Sequence, residues 1–232
     1  MKTRSFLIFL TGIFILSVVS AQATIILQED FSTATIANGQ TLSSSAGLIA
    51  HQWYDFTAWQ IVTDGANKYA QHLGTIPDNT HILFTGIDAT SLGIGTQLQL
   101  SFDYSFGTPT TGARAFAYLV GLDFPSNSLD PFAPWLDDAA GGFGSPDTND
   151  GTVLTRLDLT IPTSGFVGAS TSIVTLSQQY DAIVVAFVFG DGQTLQAVDN
   201  VTVNSTVPEP ATMLLLGSGL LGLWGFKRKF RQ

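Results

Sequence analysis

The sequence predicts an all-β protein in which a two-sheet antiparallel sandwich lies between two terminal targeting segments. Between residues 24 and 206, apolar and polar residues alternate with a period of two, and no stretch has a convincing helical period. Clusters of Gly, Asp, Asn and Pro separate the alternating runs, as turns require. A series of short strands with regular turns over this length is typical of a sandwich with a sizeable core.

Ten segments have the pattern of strands. They are residues 25–31, 53–62, 68–73, 81–84, 97–106, 113–122, 153–161, 173–176, 182–189 and 195–203. Segment 97–106 alternates throughout, which predicts one face in the core and one in solvent. Segment 182–189 has no polar residue, which predicts a central strand covered on both faces.

The charge distribution excludes one class of partner. Residues 24–206 hold three of the nine basic residues, Lys68, Arg114 and Arg156, against 17 of the 18 acids, so their formal charge is −14. Nucleic acid is excluded because its binding requires a basic surface that displaces counterions. The chain has no cysteine, which excludes disulfides, a thiol nucleophile and a lipoprotein anchor.

The N-terminal residues 1–23 form a predicted secretory signal peptide. Lys2 and Arg4 precede an apolar run at 6–19, and small residues follow at Ala21 and Ala23. We expect signal peptidase to cut after Ala23, with Ala21 as the alternative. An uncleaved anchor is the competing interpretation, but the run is shorter than the ~20 residues that a membrane span needs.

The C-terminal residues 207–232 have three consecutive features. Pro208-Glu209-Pro210 precedes an apolar stretch at 211–226, and a basic cluster at 227–231 follows. We expect 211–226 to be a transmembrane helix, about 24 Å long at 1.5 Å per residue. The basic residues would stay in the cytoplasm, which places the folded domain on the other side of the inner membrane.

This order of features resembles the PEP-CTERM family of exported bacterial proteins. The resemblance covers residues 207–232 and implies processing by an exosortase, a membrane-embedded cysteine protease that recognises Pro208-Glu209-Pro210. It also implies a Gram-negative host that makes exopolysaccharide. A plain single-span anchor is the alternative, since it needs the helix and the basic tail but not the Pro-Glu-Pro signal.

The middle region, residues 24–206, resembles jelly-roll carbohydrate-binding modules in three short pieces. These are Glu29-Asp30-Phe31, the strand at 100–106 and the closing strand at 198–203. The resemblance implies a jelly-roll sandwich with a structural calcium ion held by Glu29 or Asp30 together with Asp199. The alternative is that these carboxylates are solvated or cap turns, because calcium needs six to eight oxygen ligands.

A proline-rich segment holds the candidate carbohydrate-binding residues. Trp135 lies close in sequence to Asp137 and Asp138, and sugar sites combine an aromatic face with carboxylate or amide partners. The alternative for Trp135 is an anchor tucked under the sandwich edge. Of Trp53 and Trp59, which lie in a predicted strand, we expect at least one in the core.

Catalytic patterns are weak in this sequence. Glutamate occurs only at Glu29 and Glu209, so the Glu-x-Asp-x-x-Glu strand of sandwich glucanases is absent. The histidines His51, His72 and His81 have no ligand spacing, and we expect them at the surface or in cross-strand pairs. No Gly-x-Ser-x-Gly elbow lies in residues 24–206. A hydrolase of another type is the minor alternative.

Together these observations predict an exported, non-catalytic protein of the cell surface or extracellular matrix. Its precursor would be anchored in the inner membrane, face the periplasm, and be sorted by an exosortase in an exopolysaccharide-producing bacterium. The alternative is a carbohydrate-binding module that contacts exopolysaccharide through loop aromatics. Calcium is the one cofactor expected.

Overall fold

The computed structural model describes residues 23–38, 48–55, 59–72, 81–106, 114–124, 151–160, 165–190 and 196–206. Residues 24–205 form one compact unit; the other comprises residues 1–23 and 206–232, of which only Ala23 and Thr206 are described. Among the described residues no helix has the length and apolar character to cross a membrane. The predicted helix at 211–226 lies outside them.

Thirteen strands lie in the described parts of the chain. They are β1 Ala23–Glu29, β2 Thr35–Asn38, β3 Gln52–Asp55, β4 Trp59–Asp64, β5 Asn67–His72, β6 His81–Asp88, β7 Gln97–Phe106, β8 Arg114–Leu122, β9 Thr152–Asp158, β10 Val167–Ser170, β11 Val174–Thr175, β12 Ala182–Gly190 and β13 Gln196–Thr206. Sheet A has the order β10-β7-β13-β5-β4, with β1 also on β13 and β11 also on β7. Sheet B has the order β2-β3-β6-β12-β8-β9. The predicted all-β class with two sheets is confirmed.

One strand departs from the antiparallel arrangement. Sheet B is antiparallel except that β2 runs parallel to β3, with Thr35 opposite Gln52 and Asn38 opposite Asp55. A parallel pair needs a connection of about a dozen residues or more, and residues 39–51 supply it. The prediction that both sheets are fully antiparallel is therefore wrong at this edge, because sheet B is mixed.

The core between the sheets depends on strands β7 and β12. In β7 every second residue is buried, from Leu98 to Phe106, as the alternation predicted. In β12, Ile183, Val185 and Phe187 join this core, while the residues between them join a second apolar cluster on the other face of sheet B. The prediction of a central strand covered on both faces is confirmed. Each fully buried side chain of this kind contributes about 1.5–3 kcal/mol.

The second cluster lies on the face of sheet B that points away from sheet A. The Tyr54 and Phe84 rings stack there with centroids 5.4 Å apart. The guanidinium of Arg156 in β9 lies 3.9 Å from the centroid of the Phe116 ring, a distance at which a cation is attracted to an aromatic face. The central strands of sheet B are therefore apolar on both faces.

The predicted strand at 53–62 is two strands in two different sheets, β3 in sheet B and β4 in sheet A. Residues 53–55 are all buried, which breaks the alternation that a single strand would show. The carboxylate of Asp55 accepts a hydrogen bond from the Trp59 backbone N–H at 2.8 Å and so ties the end of β3 to the start of β4.

Two strands, β2 and β10, have no counterpart in the sequence prediction. Each is four residues long, and neither has the aromatic and β-branched run that marks a strand. Strand β10 lies beside β7, with Ala169 opposite Phe102. Such a strand depends on the neighbouring strand for its hydrogen bonds, so its own residues give a weak signal.

Asp55 makes stability depend on pH in a predictable direction. Burial raises the pKa of Asp55 above 3.8, and the hydrogen bond from Trp59 offsets this in part. A raised folded-state pKa means that the native state holds the proton longer than the unfolded chain, so stability falls as pH rises from about 3.8 through the folded value. The Asp55→Asn variant keeps an acceptor for Trp59, and its stability relative to wild type should rise from pH 3 to pH 7 in urea unfolding of the full chain.

Asp88 serves as a control, because its pKa is shifted in the opposite direction to that of Asp55. Hydrogen bonds from the Thr90 hydroxyl and backbone N–H lower the pKa of Asp88, so its contribution is present at neutral pH and is lost on acidification. The stability of Asp88→Asn relative to wild type should fall over the same range. Parallel curves for the wild type and the two variants would contradict this account of Asp55.

Candidate functional site

The predicted calcium residues lie where strands of sheet A end or become irregular. Glu29 is the last residue of β1, Asp30 follows it, and Asp199 lies in β13. Phe31 and Asn200, which follow these acids, have positive φ angles of 57° and 49°. Left-handed backbone is uncommon for residues other than glycine, so each acid is fixed beside a constrained turn of the chain.

Asp199 is buried at an irregularity of β13. Val198 and Val201 both pack in the core, so the inward alternation shifts by one residue between them, as in a β-bulge. The Asp199 carboxylate accepts hydrogen bonds from the backbone N–H of Asn200 at 2.8 Å and from Asn67 Nδ2 at 2.9 Å. Burial raises the pKa of Asp199, and the charges of Asp103 and Asp30 raise it further. The charges of two neighbouring carboxylates therefore act on Asp199.

Asp103 extends this group along β7. Its Oδ2 accepts a hydrogen bond from Asn200 Nδ2 at 2.8 Å, which joins β7 to β13 on the outer face of sheet A. Sequence reasoning did not select Asp103, Asn200 or Asn67. The alternation of β7 does place Asp103 on the solvent face, but nothing in the sequence indicates that β13 lies next to it.

Asp30 lies at the exposed edge of the same group. Its Oδ1 accepts a hydrogen bond from the Ser32 backbone N–H at 2.9 Å, and hydrogen bonds from Ser32 lower the pKa of Asp30. Lys68 Nζ donates to the carbonyl oxygen of Ser32 at 3.0 Å. Asp30 therefore holds its negative charge near Asp199.

Glu29 makes different contacts. Its side chain is 1 % exposed; Oε1 accepts from the Phe31 N–H at 2.8 Å, and Oε2 lies 3.1 Å from Nδ1 of His51. His51 is half-exposed and has a positive φ of 59°. This pair connects the end of β1 to residues 48–51, beside a cleft of about 640 Å³ that also reaches Asp88 in β6.

The donor set partly fits calcium. Carboxylate and amide oxygens are the ligands that Ca²⁺ prefers, and Asp199, Asp30 and Asp103 carry such oxygens. The described residues contain no group of three or more Asp, Glu or His side chains already arranged around a metal position. Both oxygens of Glu29 and both oxygens of Asp199 already have a hydrogen-bond partner, so a cation would have to use their remaining lone pairs.

The remaining candidate residues divide into two groups. Trp53 and Trp59 are both buried in the core, which confirms that at least one is a core residue. His72 is buried beside Trp59 as its cross-strand partner, with ring centroids 5.7 Å apart. The other group lies outside the described residues: Trp135, Asp137, Asp138, Pro208, Glu209 and Pro210.

Comparison of the sequence with known families identifies the C-terminal segment. Residues 206–229 match the PEP-CTERM protein-sorting motif, which confirms the interpretation of the C-terminal sequence. This motif marks a chain for export and for sorting to the cell surface by an exosortase. A comparison with curated proteins found no match.

Solved structures with a similar shape include carbohydrate-binding modules. The CBM22-1 xylan-binding domain from Paenibacillus barcinonensis is 9 % identical, with a TM-score of 0.48 over 82 % of this chain and 99 % of that one. The C-terminal family 22 module of Xyn10B from Clostridium thermocellum is 10 % identical, with a TM-score of 0.45 over 80 % of this chain and 95 % of that one.

Glu29 and Asp30 are neighbours whose truncation should have unequal effects. Glu29→Ala removes the acceptor of the buried Phe31 N–H, and an unsatisfied buried donor costs about 1–3 kcal/mol. Asp30→Ala removes an exposed acceptor whose donor can turn to water, so its effect should be much smaller. Urea unfolding of the full chain in the presence of chelator measures both. Equal losses would contradict the structural role assigned to Glu29.

Proposed function

We propose that this protein is an exported, non-catalytic component of the cell surface or extracellular matrix of an exopolysaccharide-producing bacterium. The observation that carries the proposal is the sorting motif at residues 206–229. An exosortase would cut near Pro208-Glu209-Pro210 and separate the folded unit from the membrane segment at 211–226. The precursor would face the periplasm while it is anchored in the inner membrane.

The position of the motif in the fold supports this proposal. Strand β13 ends at Thr206, where the matched motif begins, and Ser205 Oγ donates to the carbonyl oxygen of Thr24 at the start of the folded unit. Cleavage after residue 206 would therefore leave all the described strands intact. The released unit would keep its charge of −14, which favours solubility outside the cell.

Processing at the motif can be tested by intact mass. In the native host, the wild-type chain should be recovered from the surface or medium in a shortened form, while a variant with Pro208-Glu209-Pro210 replaced by three alanines should stay full-length in the membrane fraction. A matched variant with Ser218→Ala, inside the apolar stretch, should be processed normally. Retention of residues 211–232 in both wild type and triple variant would refute exosortase sorting in favour of a plain membrane anchor.

Carbohydrate binding through Trp135, Asp137 and Asp138 is the alternative function. It rests on the chemistry of these three residues, since an aromatic face next to carboxylates suits a pyranose ring. It is compatible with the same export route. Binding of the full chain to a glycan array that is lost in Trp135→Ala would support this function, and no binding with or without calcium would exclude it.

We also propose that calcium binds at the predicted residues Glu29, Asp30 and Asp199. The effect of the Asp103 and Asp30 charges on Asp199 supports a cation there, because a bound Ca²⁺ would offset that repulsion. The ion would cross-link β1 to β13. It would have a structural role and no catalytic one.

The melting temperature of the full chain tests the calcium proposal. It should rise between excess chelator and excess CaCl₂, because a ligand at 100 times its Kd stabilises the native state by about 2.7 kcal/mol. The rise should vanish in Asp199→Ala and persist in Asp64→Ala, which removes an acid at the end of β4. A wild-type melting temperature that is the same in chelator and in calcium would exclude the site.

A further inference from the structure

We propose that two copies of this chain form a dimer through strand β1, whose free edge pairs antiparallel with β1 of the second copy. The twofold axis would pass beside Ile26, so that each copy offers the same surface to the other. We call this surface, residues 24–28, the β1 edge. The proposal goes beyond the proposed function, since it depends neither on sorting nor on a ligand.

The β1 edge is open to solvent. Among the strands that the structure describes, β1 pairs only with β13. Thr24, Ile25 and Gln28 are exposed, and Ile25 is 54 % accessible. A strand with a partner on one side presents backbone N–H and C=O groups on the other side, where a further strand can bind them. The β1 edge is therefore a position at which sheet A can be extended.

The other outer strands are protected against such pairing. Strands β2, β10 and β11 have four residues or fewer, and β4 lies against β2. Strand β9 carries Arg156 and Asp158, and charged side chains on an edge disfavour pairing. By contrast, β1 has seven residues, and its one charged residue, Glu29, is buried at its end. In the described part of the chain, β1 is therefore the long outer strand that lacks these protections.

Residues 24–28 are complementary to themselves. With Ile26 opposite Ile26 of the partner subunit, antiparallel pairing places Ile25 opposite Leu27 of the partner subunit. It places Thr24 opposite Gln28 of the partner subunit. Residues directly opposite each other lie on the same face and interact. Apolar residues then meet apolar residues and polar residues meet polar residues, so a second copy of β1 brings the pattern that this edge fits.

The charge distribution also favours this edge as the contact. Residues 24–206 have a formal charge of −14, so two copies repel each other over much of their surface. Residues 24–28 carry none of that charge. Two copies can therefore approach along the β1 edge without placing like charges opposite each other.

The cleft beside β1 adds apolar surface to the contact. Its volume is about 640 Å³, and it is lined by residues 25–28 on one side and by Leu48, Ile49 and Ile87, among others, on the other. Side chains alternate along a strand, so a cleft that touches four successive residues follows the edge of β1. Ile49 is 56 % exposed. A second β1 would cover it together with Ile25.

Contacts at both ends hold β1 in place. Ser205 Oγ donates to the Thr24 carbonyl oxygen at 3.3 Å. At the other end, Glu29 Oε1 accepts from the Phe31 N–H at 2.8 Å, and Oε2 lies 3.1 Å from His51 Nδ1. The β1 edge is therefore ordered before a partner arrives, and pairing loses less conformational entropy than it would with a free segment.

Single cysteines test the register, because the chain has no cysteine of its own. In the full chain, purified in mild detergent and mildly oxidised, Ile26→Cys should form a disulfide-linked dimer, since directly opposite residues have Cα atoms about 4.5–5.5 Å apart. Ile25→Cys should cross-link at least about tenfold more slowly, because its two copies lie about 7–8 Å apart on the diagonal. A mixture of Ile25→Cys and Leu27→Cys should restore fast cross-linking. Non-reducing gels measure these rates.

Val153→Cys is the matched control, since Val153 is an exposed apolar residue of the charged outer strand β9. It should stay monomeric on the same gels. Cross-linking of Ile26→Cys no faster than that of Val153→Cys would overturn the β1 edge as the contact, and so would equal rates for Ile25→Cys alone and Ile26→Cys. Either failure leaves sorting untouched, since the intact-mass experiment measures sorting independently.

A charged substitution gives a second measurement that needs no cross-link. Ile25 is exposed, so circular dichroism of Ile25→Lys should match wild type, while its dimer dissociation constant in sedimentation velocity should rise at least about tenfold. Lysine lowers the repulsion between acidic units, so this loss can come only from the edge. Val153→Lys makes the same change of charge and should stay within about twofold of wild type. A wild-type chain that is monomeric at every concentration, or equal constants for Ile25→Lys and wild type, would overturn the dimer.

Discussion

Burial of β12 on both faces is the constraint on which the rest of the structure depends. Ala182 to Val188 contains no polar side chain, and each of its residues is at most 2 % exposed. Such a strand is stable only if it has neighbours on both edges and apolar cover on both faces. β6 and β8 supply the edges, and sheet A covers one face. The two-sheet arrangement follows from this one segment.

The same arrangement determines where the candidate site residues lie. Sheet A faces β12 with one side only, so its outer side carries the polar half of each alternating strand. β13 runs between β7 and β5, and its irregularity at Asp199 and Asn200 turns an acid and an amide toward that outer side. Because β13 also leads to the sorting motif at 206–229, one strand links the acidic group to the segment that carries this motif.

A strand could be predicted from the sequence where its own residues show which of its faces are buried. β7 has the predicted bounds because its alternation is complete, and β12 was assigned to the centre of a sheet because it is wholly apolar. β2 and β10 could not be predicted, since four residues carry too little pattern and these strands depend on their partners. The contacts of Asp103 with Asn200 and of Glu29 with His51 join residues 97 and 22 positions apart, and only strand order reveals them.

The distribution of charge connects the fold to the export route. In the precursor the basic residues at 227–231 lie beyond the apolar stretch, whereas the folded unit has a formal charge of −14. Cleavage near Pro208-Glu209-Pro210 would remove the basic cluster and leave a strongly acidic unit. Long-range repulsion then disfavours anionic polymers and nucleic acids in the matrix. A polymer that carries no charge does not experience this repulsion.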